Sequence, residues 1–304
     1  MKSISFRKAW CVAHRRKEMG VAYLLLLPTL ILLLTFSIVP LLNAFYTSFF
    51  NNGVYQEPNY VGLANYKRVL RDRNFTKSIT VGLTFMLYEV PIRLVLSFLL
   101  ADCIKSMTPH VGNFVKSSIY VPSVIGSIIA GSIFGFIYDY QAGLLNTIVQ
   151  AFGQTRVAWL NTPGLSMWAV VIPSVWLGLG YSTLLMLAGI LDIPAAYYEA
   201  ATIDGANAWQ RMIYITIPCM RNIFLFQVVS GAIGALQEFN LPFTLTGGGP
   251  AGTTKTPALL LYQHFTSDST MGYTYAGAML LAVIIGALTA IFFRTISSDK
   301  AADV

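Results

Sequence analysis

Long uncharged runs alternate with short polar segments along the whole chain. The first, from Met19 to Gln56 with VAYLLLLPTLILLLTFSIVPLL at its heart, exceeds the ~20 apolar residues that carry a helix across a bilayer. Further runs at about 78–104, 117–138, 165–190, 221–243 and 274–294, each bounded by charge or by Gly and Pro, bring the predicted spans to six. Helix is the assignment for all of them, because an unpaired backbone group in lipid costs several kcal/mol and open strands or irregular loops leave many. The pattern predicts an all-α polytopic membrane protein: a single membrane domain over 21–295, a basic segment 1–20 and a tail 296–304. No repeat of 20–50 residues and no low-complexity linker divides it.

Composition agrees. The 304 residues are 55% hydrophobic and 11% charged, against roughly 25% charged in an ordinary soluble domain. Arg7, Lys8, Arg15, Arg16 and Lys17 resemble the basic start of a secretory signal, but the apolar run behind them is too long and no small-residue cleavage site follows. An uncleaved first span is therefore expected. The net charge of +7 is what basic residues beside spans produce, so no nucleic-acid partner is expected. Cys11, Cys103 and Cys219, like His14, His110 and His264, are scattered without ligand spacing, and no metal site or disulfide framework is expected from them.

Orientation rests on Lys and Arg. With the N-terminus inside, cytoplasmic segments hold twelve and outer segments seven, but five of those seven, Lys67, Arg68, Arg71, Arg73 and Lys77, crowd one outer loop. The first span and the later loops favour this orientation; that loop opposes it.

Three groups of polar residues interrupt the spans. Glu89 and Arg93, in YEVPIRLVL, lie four apart on one helix face in the favourable acid-before-base order, with Pro91 between them to kink the helix or free a carbonyl. They read either as a pathway pair or as a structural ion pair. Gln237, Glu238 and Asn240 lie in the end of the fifth run, in QEFNLPFTLTGGGP, with Gly247 to Pro250 ending the helix; the cluster suits a hydroxyl-rich ligand or helix-to-helix hydrogen bonding. In the fourth run Trp176, Gly178, Gly180 and Tyr181 offer flat aromatic surface for sugar rings, or close helix packing. GGPAGTTKT is no phosphate loop, since Lys255 follows Thr254 where that motif needs Gly.

Between the fourth and fifth runs stands YYEAATIDGANAWQRMIYITIP. Asp192 is a good helix cap with Pro194 in the first turn, and Ala196, Glu199, Ala200 and Ile203 then share a helix face. Gly205 turns the chain, Trp209 and Ile213 supply a second apolar edge, and Pro218 closes the segment. A small-residue face without catalytic groups is a docking element. An interfacial helix lying on lipid would carry Lys and Arg against anionic headgroups, and here they are nearly absent.

Glu199, Ala200, Ala201, Asp204, Gly205 and Ala206, with Ile217 and Pro218 at the far end, resemble the EAA loop of the membrane subunits of binding-protein-dependent ATP-binding-cassette importers. The stretch with VGLANY, the run VWLGLGYSTLLMLAGILDIPAAYYEAA and LTGGGPAGTTKTPALLLY extend the likeness over about residues 20–295, and are similar to carbohydrate-uptake permeases. The resemblance implies a type I importer permease of a bacterial cytoplasmic (inner) membrane, with both termini cytoplasmic and the 51–77 loop outside. It implies as partners a second permease, two cytoplasmic ATPases that carry ATP and magnesium, and an extracytoplasmic sugar-binding protein; no cofactor is expected in this chain. Glu199, Ala200, Ala201, Asp204 and Gly205 then inherit the coupling role within 192–218. Gly178, Tyr181, Gln237 and Glu238 inherit substrate contact, with Asn240 added from its place in the cluster.

Departures qualify the likeness. Ile217 stands where the family has Leu, and the larger maltose permease's extra N-terminal spans and outer domain are missing. A glycine-rich C-terminal tail is absent too, which favours a heterodimer with a different permease. The rival readings are the same architecture for another solute such as glycerol phosphate, which would want cavity cations beyond Arg93, and an ion-driven secondary transporter, which would show internal repeats.

Overall fold

A helix that is apolar all round has no stripe to turn toward a core. The first helix of the computed structural model, α1 (Tyr23–Thr47), accordingly contains no buried residue and leaves its surface to lipid or to another subunit. The structure describes residues 23–53, 56–267 and 271–296. The predicted basic segment 1–20, with Cys11 and His14, and all but the first residue of the tail 296–304 lie outside the described residues.

After α1 comes an element absent from the helical expectation. Strand β1 (Phe50–Gly53) pairs antiparallel with β2 (Gln56–Tyr60), Phe50 opposite Tyr60 and Asn51 opposite Asn59. The buried Asn65 of α2 (Ala64–Arg71) donates from Nδ2 to the carbonyls of Ser48 and Phe50, both at 2.9 Å, and so fixes the hairpin to the helix. Outside the hydrocarbon such strands meet no lipid penalty.

Helix α3 (Arg73–Lys105) is the spine. Asp72 caps it by accepting the Asn74 N–H at 2.8 Å, and the Tyr273 hydroxyl donates to the same carboxylate at 2.6 Å. The 33 residues run through Pro91 without interruption and span about 50 Å. Three apolar clusters are strung along them. Phe75 joins Val69, Leu260, Leu261 and Tyr273; Val81 and Phe85 join Val170, Val171 and Leu241; Phe98, Ala101 and Ile104 join Met186, Ile190 and Met220. The chief partner of α3 is α7 (Leu165–Asp192).

Two of the predicted spans are broken. The run at 117–138 is α4 (Pro109–Val124) followed by α5 (Ser127–Ile137), bent by 97° where Ile125 and Gly126 take extended backbone. Gly180 of α7 seats α4, since a β-carbon there would collide with the Ile119 carbonyl. The run at 221–243 ends its helix α10 (Arg221–Gln237) at an extended Glu238, and α11 (Asn240–Thr246) then stops at left-handed Gly247. Hydropathy reports how much apolar side chain a segment has and is blind to its direction, so both runs look continuous in sequence. Four helices, α1, α3, α7 and α13 (Gly272–Ile296), are long and apolar enough to cross alone; two bent pairs, α4 with α5 and the helix over 208–219 with α10 (66°), raise the count to six. Short helices α6 (Leu144–Ala151) and α12 (Pro257–Ser267) complete the set beyond the hairpin described below.

Candidate functional site

The polar residues of the spans fall into two groups. Glu89 and Arg93 face inward from α3, with Oε1 and NH1 2.7 Å apart and side chains 3% and 17% exposed. The contact is one of charge: neither Glu89 Oε1 nor Arg93 Nε has a well-directed hydrogen bond. Gly178 of α7 and Gly231 of α10 make the room. A β-carbon at Gly178 would lie 2.9 Å from Arg93 Cδ, and one at Gly231 would lie 2.6 Å from NH2. The guanidinium therefore sits in a notch between two glycines on two helices, and α3, α7 and α10 meet at one cation. Gly178, read from sequence as a ligand contact, here lies against Arg93. Gly231 carries no sequence signal of its own; only the packing marks it.

The second group surrounds the break after α10. Asn240 donates from Nδ2 to Ser127 Oγ at 2.8 Å, the Thr256 hydroxyl donates to the Glu238 carbonyl at 2.5 Å, and Glu238 Oε1 accepts the Leu241 N–H at 3.1 Å. These bonds tie α11 to α5 and to the start of α12. Gln237 and Tyr181 are exposed and carry no side-chain hydrogen bond among the described residues, which leaves their polar ends available to a ligand. Gln237 stands six residues, about 9 Å, along α10 from Gly231. Trp176, half-buried, packs edge-on against Phe134.

At the far end of α7 the chain makes a hairpin. The sequence-expected cap at Asp192 is not formed: Asp192 is the last residue of α7, Ile193 is extended, and Pro194 precedes α8 (Ala195–Ile203). Gly205 then turns the chain at φ +78°, and the reciprocal pair Asn207 and Gln210 caps α9 (Ala208–Cys219), each side chain accepting the other's backbone N–H. Residues Met212–Thr216 of α9 are π-helical. In α8 only Tyr198 and Ala201 are half-buried; Ala196, Glu199, Ala200 and Ile203 are exposed on the opposite side, together with Asp204. Trp209 and Tyr214 add exposed rings. Tyr198 is the residue sequence reasoning missed; it stands three before Ala201, the spacing that would have marked an inner face.

The five basic residues of 67–77 lie at the opposite end of α3 from this hairpin. Lys67, Arg68 and Arg71 line a cleft of about 600 Å³ with Asp72, His264 and Tyr273. Lys77 donates to the Ala251 carbonyl at 2.6 Å.

Residues 63–300 match the family described as "Binding-protein-dependent transport system inner membrane component". The trehalose/maltose transport system permease protein of Thermococcus litoralis is 32% identical over 279 residues, which is 91% of this chain and 94% of that protein. The sulfoquinovosyl glycerol transport system permease protein of Agrobacterium fabrum is 30% identical, with 91% and 90% covered. A crystal structure of a bacterial alginate transporter, in complex with alginate pentasaccharide-bound periplasmic protein, contains a chain with the same fold. Its TM-score is 0.80 at 21% identity, with 95% of this chain and 97% of that one covered.

Proposed function

Because the chain belongs to the family of binding-protein-dependent transport system inner membrane components, we propose that it is one permease subunit of an ATP-driven importer for a sugar or oligosaccharide. The observation that carries this reading is the hairpin of α8 and α9. Its only half-buried α8 residues turn inward, and Ala196, Glu199, Ala200 and Ile203 present a small-residue face outward at the end of two long helices. Such a face is shaped for close approach by another protein and has no group for chemistry.

In this reading two cytoplasmic ATPases, which hold the ATP and magnesium, receive that face and the equivalent one of a second permease. Closure of the ATPases draws the two hairpins together and turns the cavity outward; a loaded extracytoplasmic binding protein delivers the saccharide, and hydrolysis resets the cavity. Gln237 and Tyr181 hold free polar ends for hydroxyls. The hairpin and both termini are cytoplasmic and the 67–77 cluster is outside, in keeping with their separation by the length of α3. The carbohydrate class is supported by the names of the relatives, which concern trehalose and maltose, sulfoquinovosyl glycerol and alginate.

Purification of the tagged chain from its native membrane tests the assembly: a second permease and an ATPase are expected to accompany it. Stimulation of that ATPase by a panel of saccharide-loaded binding proteins then reads the cargo. Recovery of the chain alone, from membranes in which it is expressed at its native level, would overturn the proposal.

A further inference from the structure

Helix α8 has too little of its own to stand on. It is nine residues long, shorter than the ~12–15 at which an isolated helix becomes marginal in water, and it has no buried residue. Its attachments are side-chain contacts. The ammonium of Lys105, the last residue of α3, lies 4.3 Å above the centre of the Tyr198 ring. The Tyr198 hydroxyl is 2.9 Å from Thr216 Oγ1, which also lies 3.4 Å from the Arg211 carbonyl. Arg211 NH1 donates to Thr202 Oγ1 at 3.3 Å and closes a second, weaker link across the hairpin.

Tyr198 thus joins two different bodies. Through its ring it holds the end of α3; through its hydroxyl it holds the π-helical turn of α9 that leads into α10. Both bodies reach the glycine notch: α3 carries Arg93 twelve residues, about 18 Å, before Lys105, and α10 carries Gly231. An apolar contact alone would let α8 slide on its neighbours. A cation over a ring face and a hydroxyl bond fix both the position and the rotation of one side chain.

We infer that Tyr198, clasped by Lys105 and Thr216, is the positioning residue through which displacement of α8 is passed to α3 and so to the Arg93 notch. The inference rests on the coupling role proposed for the hairpin. Glu199 and its neighbours make the outer contact, while Tyr198 transmits it inward. The two faces of one short helix divide the work.

The test uses the whole complex purified from native membranes, with hydrogen exchange measured with and without ATP plus vanadate, which needs no knowledge of the cargo. In the parent complex, trapping is expected to alter exchange both in 195–205 and in 88–98 of α3. With Lys105→Met and Tyr198→Phe combined, the ATPase is expected still to copurify and basal exchange in 195–205 to rise about tenfold. The response to trapping should then stay confined to the hairpin. Tyr198→Phe alone, which removes one oxygen, should attenuate the α3 response, and Lys105→Arg, which keeps the cation, should preserve it. An α3 response of parent size in the double variant overturns the tether while leaving the coupling reading intact. Absence of any ATPase from the parent complex removes the coupling reading and the tether with it.

Discussion

Arg93 lies against Gly178, its Cδ 2.9 Å from where a β-carbon on that glycine would stand. The room is shared with Gly231 on the other side, so the guanidinium cannot retreat from one helix without meeting the next. Gly178, a ligand-contact residue in the sequence reading, thus also forms one wall of this cation's niche.

Gly178→Ala should therefore act through Arg93. Overpacking of this kind costs about 1–3 kcal/mol, and the expected outcome is a lowered thermal midpoint of the detergent-purified complex. Adding Glu89→Gln and Arg93→Ala together should erase most of that loss, because Arg93 Cδ and the guanidinium that crowd the new methyl are gone. A triple variant as destabilised as the sum of its parts would show that Gly178 serves something other than the arginine.

Removing one partner of the pair should be far worse than removing both charges. Arg93→Ala leaves Glu89 buried without its counter-charge, a situation that costs about 3–5 kcal/mol; Glu89→Gln with Arg93→Gln leaves two neutral groups. Expression level and thermal midpoint of the two variants, compared directly, check this ordering.

Glu199→Lys changes an exposed side chain with no ion pair among the described residues, so the spans should fold normally. The coupling reading expects weakened recovery of the ATPase, or ATP hydrolysis uncoupled from uptake. Gly205→Ala should act more mildly and by another route: at φ +78° an alanine is strained by about 1 kcal/mol. Copurification yields of both variants, against unchanged circular dichroism, separate contact from fold.

Gln237→Ala should raise the saccharide concentration needed for half-maximal transport without loss of assembly, because its amide makes no internal hydrogen bond among the described residues. Glu238→Ala is expected to do both kinds of damage, since it also frees the Leu241 N–H that its carboxylate accepts, at a cost of about 1 kcal/mol. Uptake titrations in proteoliposomes, with complex yield as the control, distinguish the two. A Gln237→Ala complex with parent uptake would remove Gln237 from the site.

The membrane class, the long helices and the hairpin at Gly205 follow from the amino-acid sequence because each depends on local chemistry. Apolar runs insert regardless of their partners, a positive φ such as that of residue 205 favours glycine, and small residues at helical spacing share a face. Tertiary structure alone decided the rest. It bent the run at 117–138 by 97°, broke the run at 221–243 at Glu238, set a β-hairpin beside α2, and brought Gly178 and Gly231 to Arg93 and Lys105 to Tyr198. Each of these depends on the direction of a helix axis or on a neighbour far away in the chain, and apolar composition carries no information about either. In a membrane protein that gap is wide, since lipid-facing and helix-facing positions are both apolar and the pattern that marks a buried face in water is erased.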